Sequence, residues 1–147
     1  MTTPKSVLIL CTGNSCRSQM AEGLINHDLG DRWHAESAGT QPSGYVHPQA
    51  IQVMAEVGVD LSQKRSKSTE EFRRRAFDVV ITVCDDAAEN CPLWLGEGRR
   101  VHIGFPDPAH ASGDAESVLN VFRSVRDDIR TRIIGYLNQF QPTSLSG

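Results

Sequence analysis

No part of this 147-residue chain is apolar for long enough to span a membrane. Its first residues, Met1-Thr2-Thr3-Pro4-Lys5, are too polar and too short for a secretory leader. A long basic stripe is also lacking. The net charge is −3, and the one run of cations, Arg73-Arg74-Arg75, is expected to be a solvated helix face. These absences argue against membrane and nucleic-acid partners and for a cytoplasmic protein. Cysteine is scarce, with four in all. The Cys11/Cys16 and Cys84/Cys91 separations do not match short zinc-knuckle spacing, and no histidine pair stands near them. No metal is therefore expected, and the five scattered histidines are expected to have no catalytic duty. In a reducing compartment, four cysteines point to catalysis or redox chemistry rather than static cross-links. Repeats, low-complexity segments and composition breaks are missing too. A single domain over residues 1–147 is expected, with its catalytic part at about 5–140 and a flexible polar tail at 141–147.

What is present centres on Cys11-Thr12-Gly13-Asn14-Ser15-Cys16-Arg17-Ser18. The apolar run Val7-Leu8-Ile9-Leu10 before it reads as a buried strand. Gln19–Asn26 after it reads as the start of a helix, with Met20, Leu24 and His27 on one face. The octet thus forms a tight loop between a strand's carboxyl end and a helix's amino end. Helix-start N–H groups lack intrahelical partners, the helix dipole is positive there, and Arg17 adds a permanently charged planar fork. Together they suit a tetrahedral oxyanion. Cys11 opens the loop in the same positive field, which favours the thiolate, and Ser18 can donate a hydrogen bond to it. A nucleophile facing a bound oxyanion is the simplest reading. An inert buried Cys11 with Arg17 as a surface charge would leave the combination unexplained.

This octet, with Val7–Leu10 before it, resembles the low-molecular-weight protein tyrosine phosphatase family. The longer run from Cys11 to Gly23 is most similar to the family's arsenate reductase branch. The resemblance covers nearly the whole chain. It implies a phosphate-binding loop at the amino terminus of a Rossmann-like α/β fold.

Taken in order, the remaining segments agree with that fold. Leu29-Gly30-Asp31 stops the first helix, Arg32–Ala38 reads as a strand ending at Gly39, and Pro48 opens a second helix. Ser68, with Glu71 three residues on, carries helix-start chemistry. Phe77–Val83 is a β-branched central strand that delivers Cys84, and Arg100–Ile103 is a short one that leads to Phe105-Pro106-Asp107-Pro108. From Ala115 to about Phe140, Val118, Phe122, Val125, Ile129, Ile133 and Leu137 mark one long amphipathic helix. Such alternation predicts a four-stranded parallel sheet with helices on both faces, and ligands beyond the strands' carboxyl ends.

Two further constellations leave those ends. Flanking prolines restrict the backbone around Asp107, and phosphoryl-type chemistry needs a general acid for the departing oxygen. The resemblance implies Asp107 for that role. The phosphatases usually have an aromatic residue after this Asp-Pro pair, whereas here Ala109 and His110 follow, which argues for a small inorganic substrate. Hydrolysis needs one cysteine. Cys84 and Cys91 would have a use in reduction, where a second thiol displaces product from the first and a third carries the disulfide away. They could instead be two buried, inert cysteines. The resemblance favours the relay, because thioredoxin-linked arsenate reductases carry a cysteine pair at this spacing. It implies a redox disulfide Cys84–Cys91, a transient Cys11–Cys84 disulfide, thioredoxin as external reductant and no bound cofactor. Phosphate and sulfate would compete with arsenate, and the chain is expected to be monomeric. Cys16 is expected to be loop structure, Asn14 to brace the loop, and Trp94 to pack beneath the Cys91 segment. Some reductases of this branch also bind potassium beside the loop, and Asn14, Glu22 and Ser37 match the ligand positions. Where those proteins offer a hydroxyl and a carboxylate, this chain has Arg65 and Lys67. Potassium should be repelled there, a lysine ammonium taking its place. The alternative function is a phosphatase acting on aryl phosphates through a phosphocysteine.

Overall fold

The structure is a computed structural model, and it describes residues 3–84 and 98–140. Strand β1 (Lys5–Cys11) lies inside the sheet, and its Val7–Leu10 stretch is buried on both faces. A strand covered on both sides needs a continuous apolar run rather than an alternating one, and this run is uninterrupted. On one side β1 pairs with β2 (Trp33–Gly39), in a register running from Lys5 opposite Trp33 to Cys11 opposite Gly39. On the other side it pairs with β3 (Val79–Thr82), from Val7 opposite Val79 to Leu10 opposite Thr82, and β4 (Arg99–His102) closes the sheet. All pairs are parallel and the order is β2-β1-β3-β4. Every strand therefore delivers its carboxyl end, and whatever chemistry follows it, to one edge.

Helix α1 (Arg17–Asp28) runs from that edge and is buried along nearly its whole length, through Met20, Ala21, Leu24 and Ile25. His27 is exposed, so Ile25 rather than His27 completes the buried surface. On the same side, helix α2 (Pro48–Ala55) and helix α3 (Ala115–Ile129) join α1 in one core with Val7, Ile9, Val79 and Ile81. On the opposite side Leu8, Leu10 and Val80 pack with Phe72 and Phe77, and Phe72 ends the 3-10 helix Thr69–Phe72.

Three local expectations are corrected. Ser68 does cap a helix start, accepting from the Glu70 N–H at 3.1 Å, but the product is a single 3-10 turn. The Glu71 carboxylate does reach back to the Ser68 main chain, as helix-start chemistry requires, and it also takes a bidentate pair from Arg65 at 2.9 and 2.6 Å. Arg73–Arg75 lie beyond that turn rather than on a helix face, and Arg75 sits over the Phe72 and Phe77 rings at 5.2 and 5.3 Å. Finally, the long helix is not uniform: α3 ends at Ile129, a π turn spans Arg130–Ile134, and one more turn spans Gly135–Asn138. Its apolar residues explain why. Val125, Ile129, Ile133 and Leu137 step by four, which over-rotates a 3.6-residue turn, and a wider i→i+5 turn restores their alignment. All four are buried.

Candidate active site

Beyond β1 the chain turns through residues 12–16 into α1. Asn14 adopts φ +48°, in the left-handed region that an Asn tolerates better than most residues. Neighbouring segments tie down the loop's carbonyls. The Thr12 carbonyl accepts from the Gln41 N–H at 3.0 Å, Gly13 from Ser43 at 2.9 Å, and Ser15 from His47 at 2.9 Å. The Ser66 hydroxyl adds a second bond to the Gly13 carbonyl at 3.1 Å, and the Gln19 amide donates to the Asn14 carbonyl at 3.3 Å. Carbonyls tied to neighbouring segments suit a loop whose amides are offered to a ligand at the amino end of α1. Cys16 occupies the helix-start position without a side-chain cap hydrogen bond. Such a cradle takes a tetrahedral anion.

Cys11 is buried at the head of the loop, 3.0 Å from the Ser18 hydroxyl. Asn14 Nδ2 donates to that hydroxyl at 2.8 Å and to Ser37 at 3.0 Å, while Asn14 Oδ1 accepts from Gln19 Nε2 at 3.0 Å. Asn14 thus joins the loop, α1 and β2 through one side chain. Arg17 is buried, and its guanidinium donates to the Phe105 carbonyl at 3.1 Å and stands 3.5 Å from Asp107 Oδ2.

Asp107 caps a 3-10 turn (Pro108–His110), accepting from the Ala109 N–H at 3.0 Å through Oδ1. The Cys16 thiol donates to the same oxygen at 3.5 Å. Burial pushes Cys16 up to about 12, and the charges of Asp107 and Cys11 act in the same direction. Oδ2, by contrast, faces Arg17 and the exposed His110 at 3.7 Å. His47 is lowered by burial against the opposing pull of Asp107, and its Nδ1 accepts from the Gln49 N–H at 3.2 Å.

Thr82 pairs with Leu10, and the Val83 N–H donates to the Leu10 carbonyl at 2.9 Å, which brings Cys84 to the same end of the sheet as Cys11. Cys84 is fully buried and disulfide-bonded, while Cys11 and Cys16 are free thiols. Cys91, Trp94 and the tail 141–147 lie outside the described residues. Among the described residues no group of three or more His, Cys, Asp and Glu side chains is disposed to hold a metal ion, and no helix is long and apolar enough to cross a membrane.

The fold therefore gathers Cys11, the 12–18 loop, Arg17 and Asp107 in one place. Sequence reasoning did not reach Gln19, which binds the Asn14 side chain, the Asn14 carbonyl and, at 2.8 Å, the Arg65 carbonyl. A polar residue flanked by the apolar face of a helix was the available signal.

A buried thiol at the head of this loop, with a guanidinium and a carboxyl beside it, is an arrangement able to bind and attack an oxyanion. The family model for low molecular weight phosphotyrosine protein phosphatases matches residues 6–144, and the chain belongs to that family. Among its relatives is an arsenate reductase of Halalkalibacterium halodurans, 46% identical over 129 residues, covering 88% of this chain and 92% of the relative. A solved arsenate reductase in its phosphate-binding state superposes with a TM-score of 0.73 at 32% identity, over 93% of this chain and 99% of that one. A thioredoxin-dependent arsenate reductase of Corynebacterium glutamicum gives a TM-score of 0.64 at 26% identity, over 95% of this chain and 66% of that one.

Proposed function

We propose that this chain is an arsenate reductase that works by a three-cysteine relay recharged by thioredoxin. Arsenate binds on the amides of residues 12–18 and on Arg17. The Cys11 thiolate attacks arsenic, Asp107 protonates the departing oxygen, and water leaves a Cys11–arsenic(V) adduct. The Cys84 thiolate then attacks the Cys11 sulfur. The sulfur–arsenic electron pair passes to arsenic, which leaves as arsenite, and a Cys11–Cys84 disulfide remains. Cys91 displaces Cys11 to give Cys84–Cys91, and the dithiol of thioredoxin reduces that disulfide. No bound cofactor is needed. Phosphate and sulfate compete for the same loop, and the protein acts as a cytoplasmic monomer.

The observation that carries this reading is the arrangement around Cys11. A loop with outward carbonyls, Arg17 and Asp107 serves attack on a tetrahedral oxyanion, and Cys84 leaves the neighbouring strand at the same edge. The arsenate reductases among the relatives support the choice of substrate. So does the absence of an aromatic residue at positions 109 and 110. A second reading, hydrolysis of aryl phosphates, is favoured by the same Cys11, Arg17 and Asp107, which suffice for it.

Arsenate-dependent oxidation of NADPH in the presence of thioredoxin and its reductase tests the proposal. Turnover should be lost in Cys11→Ser. With one equivalent of arsenate and no reductant, Cys91→Ser should stop at Cys11–Cys84 after releasing about one arsenite, whereas Cys84→Ser should release essentially none. Full multiple turnover in Cys91→Ser would remove Cys91 from the relay. Robust turnover of phosphotyrosine peptides without arsenate reduction would establish the second reading instead.

A further inference from the structure

Two oppositely charged side chains are buried behind the Cys11 loop and have no part in the chemistry above. Glu22 lies on the inner face of α1 and Lys67 on the segment before the 3-10 helix, and only 3% and 8% of their surfaces are exposed. Lys67 Nζ is 3.2 Å from Glu22 Oε1 and 3.8 Å from Glu36 Oε1. Lys64, whose side chain is 40% exposed, approaches the other Glu22 oxygen at 3.4 Å. A deeply buried carboxylate is stabilised by a partner cation, and the buried Lys67 supplies a stronger one than the solvent-screened Lys64.

An ionised carboxylate can only accept hydrogen bonds, and this dictates the direction of each bond that follows. Ser37 donates its one hydroxyl proton to Glu22 Oε1 at 2.5 Å. Ser37 Oγ is then left to accept, and it does so from Asn14 Nδ2 at 3.0 Å. At the other end of the same amide, Asn14 Oδ1 accepts from the Lys67 backbone N–H at 2.7 Å. Lys67 thus acts on Asn14 from both sides, through its main chain on the oxygen and through Glu22 and Ser37 on the nitrogen. Held this way, Asn14 gives its second amide proton to Ser18 Oγ at 2.8 Å. The Ser18 proton is left to point at the Cys11 sulfur, 3.0 Å away.

We infer that Lys67 is a positioning residue for Cys11, fixing through Glu22, Ser37, Asn14 and Ser18 a hydrogen bond that is donated to the sulfur. A donated bond favours thiolate over thiol. The other charged or titratable groups near this path are Arg17 and Cys16 on the loop side and Glu36 and Lys64 on the Glu22 side, and all remain in the variants below. The inference rests on Cys11 being the nucleophile, but not on arsenate or thioredoxin.

The test is the rate at which iodoacetamide alkylates Cys11 in the reduced full-length protein, read by mass mapping of the Cys11 peptide at pH 7 and pH 10. In Lys67→Met the pH 7 rate should fall about fivefold, the worth of one hydrogen bond, and should converge on wild type at pH 10, where thiolate forms without help. In the double variant Glu22→Gln/Lys67→Met, a neutral amide oxygen accepts from Ser37 without needing a cation, and the pH 7 rate should return to within about twofold of wild type. An unchanged pH 7 rate in Lys67→Met overturns the inference. So does a loss of equal size at both pH values, which would mark a merely steric role, or a double variant as slow as the single one. Failure of arsenate reduction with this alkylation pattern intact would count against the reductase reading alone.

Discussion

Gly39 stands so close to Thr12 that a Cβ on the glycine would lie 2.3 Å from the Thr12 carbonyl oxygen and 3.0 Å from the Asn14 nitrogen. The end of β2 therefore doubles as a floor for the anion loop, in register with Cys11. Gly39→Ala must push that loop away. The expected cost is about 1–3 kcal/mol of stability, typical of overpacking. Thermal melts with and without phosphate should show a lowered midpoint and a smaller phosphate-induced rise. A variant that phosphate stabilises as fully as wild type would show the contact to be dispensable.

Cys16 should behave unlike its neighbour Cys11. Burial first, then Asp107 and Cys11, push its thiol up to about 12, so it stays protonated across the pH range in which proteins are normally handled. Since thiolate is the reacting form, iodoacetamide at pH 8 should label Cys11 and spare Cys16. Cys16→Ser, which keeps a donor beside Asp107, should retain arsenate reduction. Equal labelling of both cysteines would contradict the assignment.

Asp28, at the end of α1, holds Arg130 in the π turn through two bonds of 2.7 and 2.8 Å. Burial pushes Asp28 up, but the hydrogen bonds from Arg130 and His27 outweigh it and leave the group below the ordinary carboxylate range. A lowered carboxyl stabilises the fold above its unfolded value, and that stability is lost as pH falls through the folded one. Asp28→Asn should therefore cost about 1–3 kcal/mol at pH 7, the value of a hydrogen bond to a charged group. Urea melts should show the gap between variant and wild type narrowing below about pH 4. A gap independent of pH would mean that charge has no part in it.

Exchange of sodium for potassium should leave both the melting temperature and the reductase rate unchanged. The Lys67 ammonium rests on Glu22 at 3.2 Å, beside Ser37 and Asn14. A potassium-specific rise in melting temperature, measured at constant ionic strength, would show that a cation can share this site.

What the sequence made legible, and what it hid, divides along physical lines. Val7–Leu10 and Val79–Ile81 could be recognised because strands buried on both faces carry unbroken apolar runs. Cys11–Ser18 could be recognised because the residues proposed to grip an oxyanion there are contiguous. Asp107 and Lys67 needed the family resemblance, since they reach the loop from positions far along the chain. Gln19 was hidden because a polar side chain on a helix ordinarily faces water. The π turn was hidden too, because four-residue steps suit a regular helix nearly as well over short stretches. The bonds to the carbonyls of Thr12 and Ser15, and the one from Ser43 to Gly13, come from main-chain N–H groups, which leave no mark in side-chain identity.

Those main-chain bonds have an evolutionary consequence. Gln41, Ser43 and His47 secure the anion loop with an atom that every residue except proline possesses. Pro42 and Pro48 fall beside these positions and never on them. The rim can thus be rewritten almost freely in its side chains while these main-chain anchors of the loop stay the same. Such a scaffold separates holding a tetrahedral anion from choosing what is attached to it, so substrate preference can drift without the catalytic loop being rebuilt.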